Sequence, residues 1–238
     1  MADNEQIDSD VPPPREPIFN IQGIVFALIC ANLAIHAIRV YLLTPNQDLG
    51  LLIRAAFIPI RYSGAYPVDI YSFTSPFTYS LLHGGIDHLA INLVWLAAFG
   101  SPLAARLGTA RFLLFWCFTA LAAAALHYAL FPADPRPLIG ASGAISGMMG
   151  AAARFGFRTD RASNIRAFGG PILSISETLA SRTVLAFLGI WFVINLVAGI
   201  GFLSPGGSAI AWQAHIGGFV AGFFGIRFFD PGARRAAG

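Results

Sequence analysis

Three short segments of the sequence place histidine, serine and asparagine among small and apolar residues. The first contains His83, His88 and Asn92, the second contains Ser142, and the third contains His215. A serine hydroxyl is a weak nucleophile on its own and needs an adjacent base to take its proton. An imidazole in apolar surroundings stays neutral and can serve as that base. These residue types therefore predict a nucleophilic serine, Ser142, activated by His215.

The segments that carry these side chains are predicted to cross a membrane. Of the 238 residues, 56% are hydrophobic and only 11% are charged, whereas soluble domains average ~25% charged residues. A run of about 17–25 residues with almost no charge is long enough to span a bilayer as a helix. The composition excludes an ordinary soluble enzyme. We expect an all-α membrane protein with six spans, at residues 18–39, 83–104, 111–131, 138–155, 183–203 and 209–229.

The chain outside the spans is expected to form two tails and a large first loop. Residues 1–17 are acidic and then rich in proline, which predicts a flexible cytoplasmic tail without a cleavable signal peptide. Residues 230–238 are expected to form the second cytoplasmic tail. The first loop, residues 40–82, contains an apolar run at 51–60 that Arg54 interrupts. That run is too short to cross a bilayer and is predicted to be interfacial or re-entrant.

The arginines predict how the chain is oriented. All 15 basic residues are arginine. With a cytoplasmic N-terminus, eleven of them fall on the cytoplasmic side, and the outer side has only Arg39, Arg54, Arg61 and Arg136. Cytoplasmic loops of membrane proteins carry an excess of basic residues. We therefore expect both termini in the cytoplasm, and we interpret the arginines as a topology signal rather than a nucleic-acid-binding surface.

Helical spacing puts the serine and the third-segment histidine on faces that can meet. One face of the fourth span repeats small or hydroxyl residues, with a glycine pair beside it: Ser142, Ser146 and Gly150, then Gly143 and Gly147. One face of the sixth span carries His215, Gly218, Gly222 and Gly225. Small faces let two helices approach closely in lipid. We therefore expect Ser142 and His215 to come within hydrogen-bond reach.

The remaining polar residues suggest how the reaction would be supported. Spans four to six contain no Asp or Glu, which predicts a Ser–His dyad rather than a triad with a buried acid. The oxyanion that develops in acyl transfer needs hydrogen-bond donors, and Asn92 and His88 lie one helical turn apart on one face. Two structural alternatives stay open: His88 and Asn92 could only tie the first loop to the second span, and Ser142 could only serve helix packing.

Taken together, the three segments resemble the rhomboid family of intramembrane serine proteases. The matching pattern is His83-x4-His88-x3-Asn92, then Gly140-Ala141-Ser142-Gly143, then Ala214-His215-x2-Gly218-x3-Gly222, in the family's order. The resemblance covers residues 18–229. It implies six helices around a water-filled polar cavity that opens to the outer face.

The same resemblance implies a role for each matching residue. Ser142 would be the nucleophile and His215 the general base of an endopeptidase. His88, Asn92 and the backbone N–H of Ser142 would form the oxyanion hole. His83 would be a structural hydrogen-bonding residue, and the structural glycines near the site would be Gly140, Gly143, Gly218 and Gly222. Ser146 stands where the family often has an aromatic residue against the catalytic histidine.

The resemblance also implies a substrate class, a route to the site and a location. Substrates would be single-span membrane proteins, cut at or near a membrane boundary. The fifth span and the loop at 202–208 would form a lateral gate and cap. The uncleaved first span and the cytoplasmic termini fit a bacterial inner membrane, with the site opening to the periplasmic side.

Two other functions stay open on the sequence. A non-catalytic relative could bind membrane helices as a chaperone or dislocation factor, although such relatives typically lose the serine or histidine that this chain retains. A small transporter or proton pathway could use the intramembrane histidines, but spans four to six lack acids and no inverted pattern of broken helices is present. No metal or organic cofactor is expected, because hydrolysis needs only water that reaches a polar cavity. No cluster of cysteine and histidine has zinc spacing.

Overall fold

The computed structural model describes residues 21–159, 167–199 and 211–232. Within these ranges the regular structure is helical, and pairing of extended segments is limited to two isolated bridges. The all-helical fold expected from the sequence is therefore confirmed for this part of the chain. The predicted tail at 1–17 and the predicted cap at 202–208 lie outside the described residues. The helices are α1 (Gly23–Ala37), α2 (Pro45–Ala55), α3 (Ile70–Thr78), α4 (Ile86–Trp95), α5 (Ser101–Leu107), α6 (Thr109–Leu130), α7 (Ser142–Arg154), α8 (Ile175–Ala180), α9 (Arg182–Gly199) and α10 (Trp212–Phe229).

Four helical segments in the described residues are long and apolar enough to cross a membrane. They are Gly23–Leu42, Ile86–Leu107, Thr109–Leu130 and Arg182–Gly199. The first extends α1 by a π-helical turn, and the second joins α4 to α5 through another. Large apolar side chains on these segments are exposed, which is the surface that contact with lipid requires. The four segments match the predicted first, second, third and fifth spans, with shifts of a few residues at the ends.

The regions predicted as the fourth and sixth spans form α7 and α10, and each helix is shorter than the span predicted for it. Helix α7 begins at Ser142, rather than at residue 138, because the backbone at Gly140 has a φ of 125° and cannot be helical. Helix α10 begins at Trp212, rather than at residue 209. Helix α4 likewise begins at Ile86, so His83 precedes the helix in whose first turns it was expected.

Helix α7 lies at the centre of the fold, between α6 and α10. Every residue from Gly143 to Arg154 is buried. A β-carbon added to Gly218 would overlap the carbonyl oxygen of Gly143, and one added to Gly222 would overlap that of Gly147. The two small-residue faces expected from the sequence are therefore in direct backbone contact. Close packing of this kind is the main way that helices associate in lipid, where burial of apolar side chains gives little driving force.

Helices α2 and α3 occupy the long connection between α1 and α4. Both begin with a side-chain capping box, which explains why helices start in this polar loop. The apolar run at 51–60 includes the last residues of α2. After the helix, the run forms a bridge to the chain that precedes α7. Phe57 N–H donates to the carbonyl of Leu138 at 3.2 Å, and Leu138 N–H donates to that of Phe57 at 2.8 Å. The first loop is thereby fixed to the segment that leads into Ser142.

An ion pair holds the opposite end of the bundle together. The guanidinium of Arg106 on α5 bonds the carboxylate of Asp230, just after α10, at 2.8 Å. It also donates to the carbonyl oxygens of Phe168 and Gly170, at 2.8 and 2.9 Å. The Asp230 side chain is only 1% exposed. These bonds join α5, the connection after α7 and the end of α10, far from Ser142.

Candidate active site

Ser142 is the first residue of α7, and the local backbone explains its position. Gly140 adopts a positive φ that residues with a β-carbon rarely adopt, and its N–H donates to the carbonyl of Tyr79 at 3.0 Å. The chain then turns into the helix at Ala141, which provides no side-chain cap. The first N–H groups of a helix have no partner within it, and they carry partial positive charge. Ser142 therefore sits where backbone donors can stabilise an anion.

His215 lies in the first turns of α10 and meets Ser142 directly. The Nε2 atom of His215 is 2.7 Å from the Oγ atom of Ser142, across 73 positions of sequence. The backbone contact between Gly218 and Gly143 puts the two helices close enough for this hydrogen bond. A nucleophile and its base must be within about 2.6–3.2 Å of each other. The pair has the geometry expected from the spacing of the two segments.

A residue that the sequence interpretation missed lies on the other side of His215. The Nδ1 atom of His215 is 2.6 Å from the Oδ1 atom of Asn195 on α9. From the sequence, a third member of the site would be expected to be a carboxylate, and none occurs in these spans. The available signal was a lone asparagine in an otherwise apolar helix, which is a costly group to place in a membrane. Ser146, which stands at the often aromatic position, is buried, and no aromatic ring stacks on His215 in the described residues.

His88 on α4 lies beside the same serine. A β-carbon added to Gly140 would be 2.9 Å from the Cε1 and Nε2 atoms of the His88 ring and 3.5 Å from Ser142 Oγ. The ring, the Gly140 backbone and the Ser142 hydroxyl thus share one small region. Two features favour glycine at 140: its φ is positive, and the imidazole occupies the space that a side chain would take.

Asn92 and His83 are attached to the site by backbone bonds. Asn92 Nδ2 donates to the His88 carbonyl at 2.8 Å, which leaves the second amide hydrogen for another acceptor. Within the described residues no hydrogen bond joins Asn92 to Ser142. His83 Nε2 accepts from the N–H of Ala141 at 3.5 Å, and its own carbonyl accepts from Arg39 at 2.9 Å. His83 therefore supports the turn before Ser142, whereas Asn92 supports the helix that carries His88.

The site offers hydroxyl, imidazole and amide groups but no cluster of metal ligands. In the part of the chain that the structure describes, no three His, Cys, Asp or Glu side chains are grouped to hold a metal ion. The arrangement can take a proton from Ser142, hold it on His215 and present donors to an oxyanion nearby. Those are the elements of acyl transfer.

Comparison with known proteins shows the family of this chain. A family model described as the Rhomboid domain matches residues 72–229, which include all the residues above from His83 to His215. The chain belongs to the rhomboid family. The Rhomboid protease GluP of Bacillus subtilis (strain 168) is 33% identical over 144 residues. That alignment covers 60% of this chain and 24% of GluP, so the chain spans about a quarter of the length of this rhomboid relative.

Proposed function

We propose that this rhomboid-family protein is an intramembrane serine endopeptidase that cleaves membrane proteins in or near their transmembrane segments. The observation that carries the proposal is the 2.7 Å hydrogen bond between Ser142 Oγ and His215 Nε2. Because both residues lie in apolar helices, their reaction would take place at membrane depth. Membership of the rhomboid family and the similarity to a rhomboid protease support the same conclusion.

The proposed reaction proceeds through an acyl-enzyme. Ser142 Oγ attacks the carbonyl carbon of the scissile bond while its proton moves to His215 Nε2. The tetrahedral intermediate collapses, the C–N bond breaks, and the leaving amine takes the proton from His215. A water molecule then attacks the ester carbonyl, with His215 again as the base, and releases the acid and free Ser142. Base catalysis of this kind contributes roughly 10²–10⁴-fold.

The oxyanion would be stabilised at the start of α7. We assign the backbone N–H of Ser142, the free amide hydrogen of Asn92 and the His88 ring as donors. The contact of the His88 ring with Gly140 supports this assignment, because it puts the ring next to the hydroxyl. Losing one such donor typically lowers kcat by about 10²–10³-fold.

The membrane arrangement that we propose has six spans. To the four candidate spans we add α7 and α10, whose mutual contact brings Ser142 and His215 together. The excess of arginine on one side of the membrane supports cytoplasmic termini and a polar cavity that opens to the outer face. We further propose a bacterial inner membrane as the location, and single-span membrane proteins as substrates that enter beside α9.

A non-catalytic role in binding membrane helices is the second candidate. It is favoured by the exposed apolar surface of α9, where Ile190 and Leu196 are more than half exposed. A pure binding protein, however, does not need a serine and a histidine in hydrogen-bond contact. The enzyme is therefore the better supported of the two functions.

The test is cleavage in a defined membrane. The purified protein is reconstituted in liposomes with a panel of tagged single-span proteins, and the products are identified by mass spectrometry. The proposal predicts cleavage within or beside the span by wild-type protein and none by Ser142→Ala. Cleavage that persists in Ser142→Ala, or helix binding without cleavage across the panel, would overturn it.

A further inference from the structure

We infer that Asn195 of α9 is a positioning residue that fixes the tautomer and orientation of His215. Asn195 would then take the place that a buried carboxylate has in a serine triad. The inference rests on the proposed function, since it assigns a role within the same site. It is carried by two hydrogen bonds, at 2.6 and 2.8 Å, on the two ends of one amide.

The first bond sets which way the amide points. Asn195 Nδ2 lies 2.8 Å from the carbonyl oxygen of Trp191, one turn earlier on α9. A carbonyl oxygen can only accept a hydrogen bond, so the group facing it must be the NH2 of the amide. The amide oxygen, Oδ1, therefore faces away from the α9 backbone and toward His215.

The second bond sets the state of the histidine. Oδ1 can only accept, so the proton between it and His215 must belong to Nδ1. Neutral imidazole carries one proton, and Nε2 is left with a lone pair. That lone pair is 2.7 Å from Ser142 Oγ and can take the hydroxyl proton. The chain of bonds from Trp191 to Ser142 thus leaves one tautomer, which is the reactive one.

An asparagine in place of the triad aspartate can impair catalysis. The contacts of Asn195 explain why it can still support His215. In a chymotrypsin-like triad, replacing the aspartate with asparagine lowers kcat about 10⁴-fold, because the histidine takes the wrong tautomer. The amide NH2 can then donate to Nδ1. Here the Trp191 carbonyl binds the NH2 and keeps it from Nδ1. Cys–His–Asn sites in papain-like proteases use an amide productively in the same sense.

The burial of Asn195 argues against a purely incidental contact. Only Val184, Asn195 and Ala198 are buried on α9, whereas most of this helix is exposed. An unbonded polar group in an apolar medium is costly, and both ends of the Asn195 amide have a partner. The bond to His215 gives the polar side chain at this position a specific partner on another helix.

The groups that act on His215 are few, which makes its titration informative. His88 faces it from α4 and interacts with it electrostatically. Ser142 faces it from α7 and Asn195 faces it from α9, and His127 on α6 lies near Gln213, two residues before it on α10. No carboxylate acts on it in the described residues. A charge introduced at 195 should therefore move the pH profile of the reaction clearly.

Two variants and a matched control test the inference. Asn195→Leu keeps the size and removes the acceptor, whereas Asn195→Asp keeps the acceptor and adds a negative charge. The control is Asn32→Leu, because Asn32 is also buried in an apolar helix and also donates to a carbonyl one turn earlier, that of Leu28 at 2.7 Å. Its Oδ1 has no partner in the described residues. The readout is the rate of Ser142 labelling by a fluorophosphonate against pH, with thermal unfolding of each variant.

The expected results differ between the variants. Asn195→Leu should lower the maximal labelling rate about 10–100-fold, which is part of the roughly 10²–10⁴-fold that base catalysis supplies. The probe concentration at half-saturation should not change. The acidic limb of the pH profile of labelling should move to lower pH. Asn195→Asp should stay within about tenfold of wild type, with the acidic limb at higher pH, because a carboxylate favours the imidazolium. Asn32→Leu should match wild type.

The inference fails if Asn195→Leu labels as wild type does, or if both variants at 195 lose activity equally without moving the acidic limb. It also fails if Asn32→Leu loses as much activity as Asn195→Leu. A second measurement needs no variant at 195: ¹⁵N NMR of the histidines, with His215→Ala for assignment. The expected result is a proton on Nδ1 of His215, and a proton on Nε2 would overturn the inference. Absence of labelling in wild type with the expected tautomer would count against the proposed function alone.

Discussion

Gly218 on α10 and the carbonyl of Gly143 on α7 are in direct contact, with no room for a β-carbon between them. Gly143 follows Ser142, and Gly218 is one helical turn after His215. This contact sets the separation of the two helices at the level of the site. The 2.7 Å bond between Ser142 and His215 depends on that separation, because neither side chain is long enough to bridge a wider gap.

The first prediction concerns that contact. Gly218→Ala should destabilise the protein by about 1–3 kcal/mol, the usual range for an overpacked core, because the new methyl meets backbone that cannot rotate away. It should also reduce fluorophosphonate labelling strongly by moving His215 from Ser142. Thermal unfolding in detergent and the labelling rate measure the two effects.

Gly189→Ala is the control for this change. Gly189 lies within α9, and no described atom lies within 4 Å of a β-carbon built there. Alanine should therefore leave labelling unchanged and could add up to about 1 kcal/mol of helix stability. Equal behaviour of Gly218→Ala and Gly189→Ala would contradict the proposed role of the glycine contact.

The second prediction concerns Gly140. Gly140→Ala forces a β-carbon against the His88 ring, at 2.9 Å, at a residue whose φ is 125°. It should lower the labelling rate by displacing the ring and the turn before Ser142. Gly64→Ala is the comparison, because Gly64 also has a positive φ, of 87°, but has open space around it. Gly64→Ala should share the backbone strain and keep full labelling; a matching loss in both variants would show that strain alone is responsible.

The third prediction separates Asn92 from a purely structural role. Asn92→Leu removes the amide that we assign to the oxyanion hole and leaves the size of the side chain. The expected result is a fall in kcat for a cleaved substrate of about 10²–10³-fold with little change in KM, since the interaction exists only in the transition state. Kinetics on a reconstituted substrate make this measurement. A folded variant with wild-type kcat would contradict this assignment and show that Asn92 only links two turns of α4.

The fourth prediction concerns stability at the opposite end. Asp230→Ala leaves the Arg106 guanidinium, whose side chain is 15% exposed, without its carboxylate. Breaking a buried pair in this way typically costs about 3–5 kcal/mol. Asp134→Ala breaks the Arg136–Asp134 pair but leaves behind only the arginine, whose side chain is 76% exposed and stays in contact with water, and such exposed charges contribute about 0–1 kcal/mol. Thermal unfolding should rank the two variants in that order; an equal shift would show that the Arg106 pair is not a structural tie.

The parts of the site that could be predicted depend on helical periodicity. The glycines on one face of α10 and the small residues of α7 repeat at helical spacing, so their contact followed from the sequence. The position of Ser142 at the very start of α7 did not. It depends on one positive φ at Gly140 and on the bridge between Phe57 and Leu138, and neither has a periodic signal.

Asn195 shows a second limit. Its bond to His215 joins α9 and α10 through one side chain from each helix. No face of small residues accompanies this bond, so the sequence has no pattern that predicts the contact. A lone asparagine in a span is equally compatible with helix packing. Only the three-dimensional arrangement shows that both ends of its amide are used.

Labelling of purified protein with a fluorescent fluorophosphonate, followed by peptide mapping, tests the central claim most directly. Wild type, Ser142→Ala and His215→Ala are compared in the same lipid, with thermal unfolding to show that each is folded. The account predicts a covalent adduct on Ser142 in wild type and no adduct in either variant. Folded wild-type protein without an adduct, or an adduct of equal yield in His215→Ala, would contradict the assignment of Ser142 and His215 as an activated pair.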